Sequence, residues 1–362
     1  MRVLLAGGGS GGSTVPLLAI AEAIRRKTQD VEFLCIGSET GPEGALVRKA
    51  NLSFVSIKTG KLRRYWSLQN FVDAFRIPIG LGQSLAVVRS FNPDVISTAG
   101  GFVCVPPAIA GWLSGVPVHV HQQDVEQGLA NKIMAPLAKL VTVTFEDSTA
   151  HFPASKTIVT GNPVRTEILQ GDRERARRFF GLEEGLPTVL VTGGGTGALG
   201  LNRIVARAAP ELVEFCQVIH LCGRGRVVSA QTESPRYKQF EFLVGEMSDA
   251  LAAADLVVSR AGLSTLTELG ALSKPSVLIP MPSSHQRYNA DAFGKVGAAV
   301  VLDELKTTAD DLVRVVRELL ENPAKREKMG AEAHRLIRPD AADRIADQVI
   351  ALARRREVSL KP

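Results

Sequence analysis

Two stretches of this chain open in the same way. "RVLLAGGGSGG" begins at residue 2 and "TVLVTGGGTGALG" at residue 188. Each is an apolar run, then a glycine loop, then a run with helical spacing, "VPLLAIAEAIRRK" and "LNRIVARAAPELV". A run that is apolar throughout suits a strand covered by helices on both faces, the setting of a parallel sheet. Repetition of that unit within 362 residues predicts two Rossmann-like halves. Between the loops, "VEFLCIG", "PDVISTA", "VPVHVHQ" and "LVTVTF" read as strands; after the second loop, "CQVIHLCG", "FEFLVG", "DLVVSR" and "PSVLIPM" do. "TGNPVRTEI", residues 160–168, reads as the linker, and the tail from 339 to 357 as a helix.

A glycine loop between strand and helix lets the backbone turn tightly, and the helix then presents free N–H groups and its positive dipole end to an anion. Phosphate is the expected guest. Gly7, Gly9 and Gly12 satisfy GxGxxG, and Gly193, Gly195 and Ala198 satisfy GxGxxA, forms that dinucleotide enzymes also use. One such loop alone equally suits a tight turn with no ligand. A dinucleotide reading needs an acid about 20 residues downstream, and Glu39 is a loose candidate. The second half offers "SRAGLSTLTELGAL", residues 259–272, where Gly262, Ser264 and Thr265 present backbone and hydroxyl donors. Glu268, on the first turns of the following helix, is placed to accept two ribose hydroxyls; complementing the helix dipole is the simpler role for it.

Net charge is +6, which fits a phosphate-bearing ligand or an anionic surface. No RNA- or DNA-binding signature appears, which argues against nucleic acid. Cys35, Cys104, Cys216 and Cys222 lack metal-ligand spacing, and the first three sit in apolar surroundings that suit buried thiols. The N-terminal apolar run is too short for a signal peptide, and prolines and glycines break the longest apolar stretch, so no spanning segment is expected.

The motifs, taken in order, resemble those of the MurG family of peptidoglycan glycosyltransferases, in glycosyltransferase family 28. "GGSGGSTVP" is similar to the family's GGTGGHxxP, "GKLRR" to GLRGK, and "VHQQDVEQGLANK" to HEQN…GxxNK, while "GNPVR" matches outright. "PDVISTAGGFVCVPP", "RAGLSTLTE" and "HQRYNA" resemble the second glycine loop and the donor-site signatures. The resemblance implies an α/β chain of GT-B fold, with two Rossmann-like domains whose parallel sheets face a central cleft. It implies an acceptor and membrane-facing domain over 1–160, joined by the C-terminal helix at 339–362, and a UDP-sugar domain over 161–338.

The implied reaction is inverting transfer of N-acetylglucosamine from its UDP conjugate to a polyprenyl-pyrophosphoryl muramoyl-peptide. The acceptor's phosphates are then expected around Ser10, Gly11, Gly12, Gly100, Gly101 and Phe102. For the donor, the backbone of Val244 is expected at uracil, Glu268 at the ribose, Arg165 with Gly194, Gly195 and Thr196 at the nucleotide, and Gln286 with Arg287 at the sugar. No carboxylate motif for a metal is present, and neither metal nor cofactor is expected.

Four departures fall near the reacting sugars. Ser13 stands where the family has histidine, Asp124 where it has asparagine, Gly195-Thr196 for Ser-Gln, and Arg287 for the second glutamine of a pair. A serine hydroxyl is no base near neutral pH without a partner. Asp124, or Glu126 beside it, is therefore the expected substitute base, the other role for Asp124 being a hydrogen bond to a sugar hydroxyl. His119 and His121 alternate on one strand and point the same way; at least one is expected to be a buried, satisfied histidine.

A lipid acceptor implies the inner face of the cell membrane. Residues 60–83 mix Lys61, Arg63, Arg64 and Arg76 with Tyr65, Trp66, Phe71 and Phe75, which suits an anionic interface as well as a helix packed on the first half. Other readings are a related transferase with another UDP-sugar or polyprenyl acceptor, a UDP-sugar epimerase, a non-catalytic sugar-nucleotide sensor, and a dehydrogenase.

Overall fold

The computed structural model describes residues 1–9, 11–39, 41, 43–60, 68–194, 197–243 and 245–360. The chain divides into two compact units, Met1–Val164 with Pro339–Pro362, and Arg165–Arg338.

The first unit holds a seven-stranded parallel sheet in the order β3-β2-β1-β4-β5-β6-β7. Its strands are β1 Arg2–Ala6, β2 Glu32–Ser38, β3 Ser53–Ile57, β4 Val95–Thr98, β5 Val118–Gln122, β6 Leu140–Val143 and β7 Thr157–Val159. Its helices are α1 Gly11–Lys27, α2 Glu43–Lys49, α3 Leu68–Phe91, α4 Val105–Leu113 and α5 Leu129–Met134. The second unit repeats the pattern with six parallel strands in the order β10-β9-β8-β11-β12-β13. These are β8 Thr188–Thr192, β9 Gln217–Leu221, β10 Tyr237–Phe240, β11 Leu256–Ser259, β12 Ser276–Leu278 and β13 Ala299–Val301. Its helices are α6 Arg173–Phe180, α7 Leu199–Leu212, α8 Met247–Ala253, α9 Leu263–Ala271, α10 Gln286–Lys295, α11 Ala309–Leu320 and α12 Pro323–Leu336. The last helix, α13 Ala341–Leu360, returns to the first unit.

Local chemistry explains the element ends. Asp172 caps α6 by accepting from Arg175 N, and Gly181 closes it in the left-handed conformation. Thr308 and Asp311 form a capping box on α11. In α13, Ile345, Ala346, Val349, Ile350 and Ala353 recur at helical spacing and bury against Leu17, Ile20 and Ile24 of α1. Arg26–Asp343 and Lys27–Asp347 pairs flank that seam.

The expected strand at 240–245 is displaced. β10 ends at Phe240, whose carbonyl accepts from Cys222 N, and the chain then leaves the sheet. Three strands, β3, β7 and β13, fall on runs the sequence did not mark; all are sheet edges of three to five residues. Four cysteines are free and buried, and burial pushes the thiols of Cys35, Cys104 and Cys216 up to about 12.

In both units the strand order reverses at the same place, between β1 and β4 and between β8 and β11. Loops at the carboxyl ends of such strands flank the crevice where doubly wound sheets bind ligands. The four small-residue loops singled out in the sequence follow these four strands.

Candidate functional site

In the first unit the loops after β1 and β4 meet. Gly101 has φ of 90°, and a Cβ there would lie 2.7 Å from Gly8 O, so only glycine permits this approach. The Phe102 ring covers Gly9. Gly100 lies against Asn131, which is buried on α5; an added Cβ would sit 3.5 Å from Asn131 Oδ1. That oxygen has no hydrogen-bond partner among the described residues. Asn131 Nδ2 donates to Gln122 Oε1 at 2.6 Å, and Gln122 Nε2 donates to the carbonyls of Asp124 at 2.7 Å and Glu126 at 2.9 Å. The acid-bearing loop after β5 is thus held by its backbone, with both carboxylates half-buried. His151 lies 3.8 Å from Glu126.

Ser13 does not stand as a free hydroxyl. It is buried, its Oγ accepts from Gly8 N at 3.1 Å and donates to Gly8 O at 3.2 Å. Both bonds return to the loop that α1 closes, so its side chain shapes the loop. Glu43 went unnoticed in the sequence. Its buried carboxylate accepts from Gly9 N at 3.2 Å, Ser38 N at 2.7 Å and Ser38 Oγ at 2.5 Å, all at Oε1. The signal was an acid just after a strand-end loop, but the exposed Glu39 drew that reading instead. Glu43 Oε1 is thereby committed to the loop's own N–H groups, while its Oε2 is buried without a hydrogen-bond partner among the described residues.

In the second unit, Arg165 and Glu268 come together although they lie far apart in sequence. Arg165 donates to Glu268 Oε1 from Nη2 at 2.7 Å and from Nε at 3.2 Å. Burial pushes the Glu268 carboxyl up, and Arg165 opposes that shift. Among the described residues no donor reaches Oε2. Glu268 sits on α9, whose N-terminus is Gly262, with Ser264 and Thr265 half-buried on its first turn. The fully buried Asn289 of α10 donates to Ala261 O at 3.1 Å, tying the start of α10 to the loop before α9.

Gln286 begins α10, and its Oε1 accepts from Met281 N at 3.0 Å, which leaves its amide hydrogens as donors. Arg287 is held by Asp291 at 3.1 Å and by Asp303 at 3.8 Å. Gly194 N donates to Thr192 Oγ1 at 3.2 Å, shaping the loop after β8. Gly197, with φ of 68°, lies against Cys222 O. Asn202 on α7 donates to the carbonyls of Cys222 and Arg226, both at 2.9 Å, and so fixes the neighbouring loop. Ser10, Gly195, Thr196 and Val244 lie outside the described residues, as do Lys61 to Ser67 of the basic and aromatic segment; Gly11 and Gly12 begin α1.

The chain matches the model of the glycosyltransferase family 28 N-terminal domain over residues 3–143 and that of the family's C-terminal domain over 188–345. A UDP-N-acetylglucosamine--N-acetylmuramyl-(pentapeptide) pyrophosphoryl-undecaprenol N-acetylglucosamine transferase 2 of Bacillus anthracis is 41% identical over 325 residues, 89% of this chain and 92% of that one. The crystal structure of Acinetobacter baumannii MurG superposes with a TM-score of 0.75 at 25% identity, covering 97% of this chain and 99% of that one. A UDP-GlcNAc 2-epimerase from Neisseria meningitidis, bound to UDP-GlcNAc, superposes with a TM-score of 0.72 at 15% identity, covering 97% of this chain and 100% of that one, a likeness of fold alone.

Proposed function

The chain belongs to glycosyltransferase family 28, and from that membership we propose that it transfers N-acetylglucosamine from UDP-N-acetylglucosamine to undecaprenyl-pyrophosphoryl N-acetylmuramoyl-pentapeptide, a step of peptidoglycan synthesis. The observation that carries this is 41% identity, over 89% of this chain and 92% of the other, to a transferase bearing that name.

The chemistry needs an acceptor hydroxyl made nucleophilic, a diphosphate leaving group stabilised, and the two held in line. The sugar hydroxyl attacks C1 from the face opposite UDP. The new C–O bond forms as the bond to the diphosphate breaks, with inversion, and the hydroxyl proton passes to a base. We assign that base to Asp124. Ser13 has its hydroxyl bonded to Gly8, and Glu126 has His151 nearby, while Gln122 fixes the backbone of both acids and Asp124 is the one at the family's asparagine position.

The second unit takes the donor. Glu268 Oε2 accepts the ribose hydroxyls while Arg165 holds Oε1 and opposes the upward push of burial on that carboxyl. The N-terminus of α9, at Gly262 and Ser264 with Thr265, faces the departing diphosphate, with Gly194, Gly195 and Thr196 from the other loop. Val244 reads the base through its backbone, and Gln286 donates to the sugar. Arg287, tied to Asp291 and Asp303, acts by shaping α10. The first unit takes the acceptor, its diphosphate at Ser10, Gly11 and Gly12 beside Gly100, Gly101 and Phe102. Asn131 Oδ1 adds an acceptor for a hydroxyl or amide of that ligand.

Such an acceptor sits in a membrane. No helix among the described residues is long and apolar enough to cross one. Ile79 on α3, Trp112 and Leu113 ending α4, and Leu129 and Ile133 on α5 are exposed, with Arg76, Lys132 and Lys139 exposed on the same unit. Apolar and basic side chains together favour an anionic interface. The protein is accordingly a peripheral enzyme of the cytoplasmic membrane face.

A second reading, another UDP-sugar with a related acceptor, is favoured by Arg287 at the position of the second sugar-binding glutamine. One experiment separates the readings: incubation with a panel of UDP-sugars and the lipid-linked muramoyl-pentapeptide, followed by mass measurement of the lipid. Gain of one N-acetylhexosamine from UDP-N-acetylglucosamine alone supports the proposal. Preference for another sugar supports the second reading, and sugar interconversion without any lipid product refutes both.

A further inference from the structure

Two histidines of the first unit have no part in the proposed transfer as described, yet both are fully buried and bonded at both ring nitrogens. His119 Nδ1 lies 2.9 Å from Ser97 Oγ and its Nε2 lies 2.8 Å from Thr142 Oγ1. His121 Nδ1 lies 2.8 Å from the same Thr142 oxygen, and its Nε2 lies 3.0 Å from Asn162 Oδ1. One threonine hydroxyl therefore bridges two imidazoles.

That hydroxyl has a single proton, so it donates to one ring and accepts from the other. A neutral imidazole likewise donates from one nitrogen and accepts at the other. The direction is set at the end, where the side-chain oxygen of Asn162 faces His121 Nε2 and can only accept. His121 then donates from Nε2 and accepts at Nδ1 from Thr142. Thr142 accepts from His119 Nε2, and His119 Nδ1 accepts from Ser97.

We infer that Ser97, His119, Thr142, His121 and Asn162 form a one-way hydrogen-bond chain, with both imidazoles neutral and protonated at Nε2, and that this chain positions the two segments that carry the transfer. One segment is the chain's exit from the first unit. Asn162 is buried, and Val143 O accepts from Thr160 N at 3.0 Å and from Gly161 N at 3.3 Å, so main chain and side chain fix the same corner. Arg165, the partner of Glu268, follows three residues on. The other segment is the acid loop, because Gln122, which holds the Asp124 and Glu126 carbonyls, directly follows His121 on β5. Burial pushes His119 down to about 3 and His121 down to about 4, which keeps both rings neutral in a working cell. His119 and Thr142 are thus positioning residues. The positioning role rests on the proposed transfer, while the order of protons does not.

The test has two arms on the full chain. Long-range nitrogen–proton NMR of histidine-labelled protein at neutral pH reads each tautomer directly. Both rings protonated at Nε2 only is the expected result; either ring protonated at Nδ1, or charged, overturns the inference. In kinetics, Thr142→Val is expected to lower kcat by at least about tenfold with KM for UDP-N-acetylglucosamine within about threefold, and Thr142→Ser to restore kcat to within about threefold. Wild-type kcat in Thr142→Val, or no rescue by serine, removes the positioning role. Should Thr142→Val not fold, Ser97→Ala, at the buried donor end of the chain, takes its place with the same expected split. A wild-type protein that transfers nothing refutes the proposed function and leaves the tautomer measurement to decide the chain.

Discussion

Arg165 Nη2 lies 2.7 Å from Glu268 Oε1, joining two residues 103 positions apart into one largely buried pair. Removing one member of such a pair strands the other, a cost that typically exceeds the worth of the pair itself. Glu268→Gln keeps the shape but loses the charge that the ribose hydroxyls and Arg165 both use. Its affinity for UDP, measured by calorimetry, is expected to fall by about 10- to 100-fold, in line with loss of charge-assisted hydrogen bonds. Arg165→Ala is expected to weaken UDP binding too, and the double variant to be no worse than the poorer single one, since the two act as a unit.

Gly101→Ala addresses the acceptor loops alone. The added methyl meets Gly8 O in a backbone conformation with φ of 90°. UDP affinity is expected to stay within about twofold, while turnover with the lipid acceptor falls by at least about tenfold. Equal loss of both would place the acceptor loops in donor binding.

Asp124→Asn tests the base. Proton transfer to a positioned side chain contributes about 10²- to 10⁴-fold, and the amide cannot take the proton. Single-turnover rates are expected to fall by at least about 100-fold with UDP affinity unchanged. Turnover kept within a few fold assigns Asp124 to holding a sugar hydroxyl instead.

Acid should loosen the first unit. His119 and His121 titrate at about 3 and about 4 when folded, against 6.5 when free. The unfolded chain thus binds more protons in acid, so this stability is complete above about pH 6.5 and is lost as pH falls below it. At pH 5 each buried imidazole costs about 2 kcal/mol. Both tryptophans, Trp66 and Trp112, belong to the first unit, so the urea midpoint by fluorescence reads it selectively. The midpoint is expected to drop between pH 7 and pH 5; an unchanged midpoint contradicts the buried-neutral assignment.

Much of the site was legible because its chemistry is local. Strand, glycine loop and helix follow one another in sequence, so the loops after β1, β8 and β11 stand out, as does Glu268 on the helix that follows. The alternation of His119 and His121 on one strand also fixed their common direction. What stayed hidden depends on distant partners. Glu43 acts on Gly9, 34 residues away, and Thr142 and Asn162 reach His121 across 21 and 41 residues. Ser13 read as a lost base, but its role appears only when Gly8 folds back over it. The edge strands β3, β7 and β13 are too short to show a period, and β10, Tyr237–Phe240, ends where the apolar run that suggested it begins.

A crystal structure of the protein with UDP tests the central claim most directly. The account predicts the ribose hydroxyls on Glu268 Oε2, with Arg165 still on Oε1 and the diphosphate at the N-terminus of α9. Uridine bound away from Glu268, or in the first unit against the loops of Gly8 and Gly101, would contradict it.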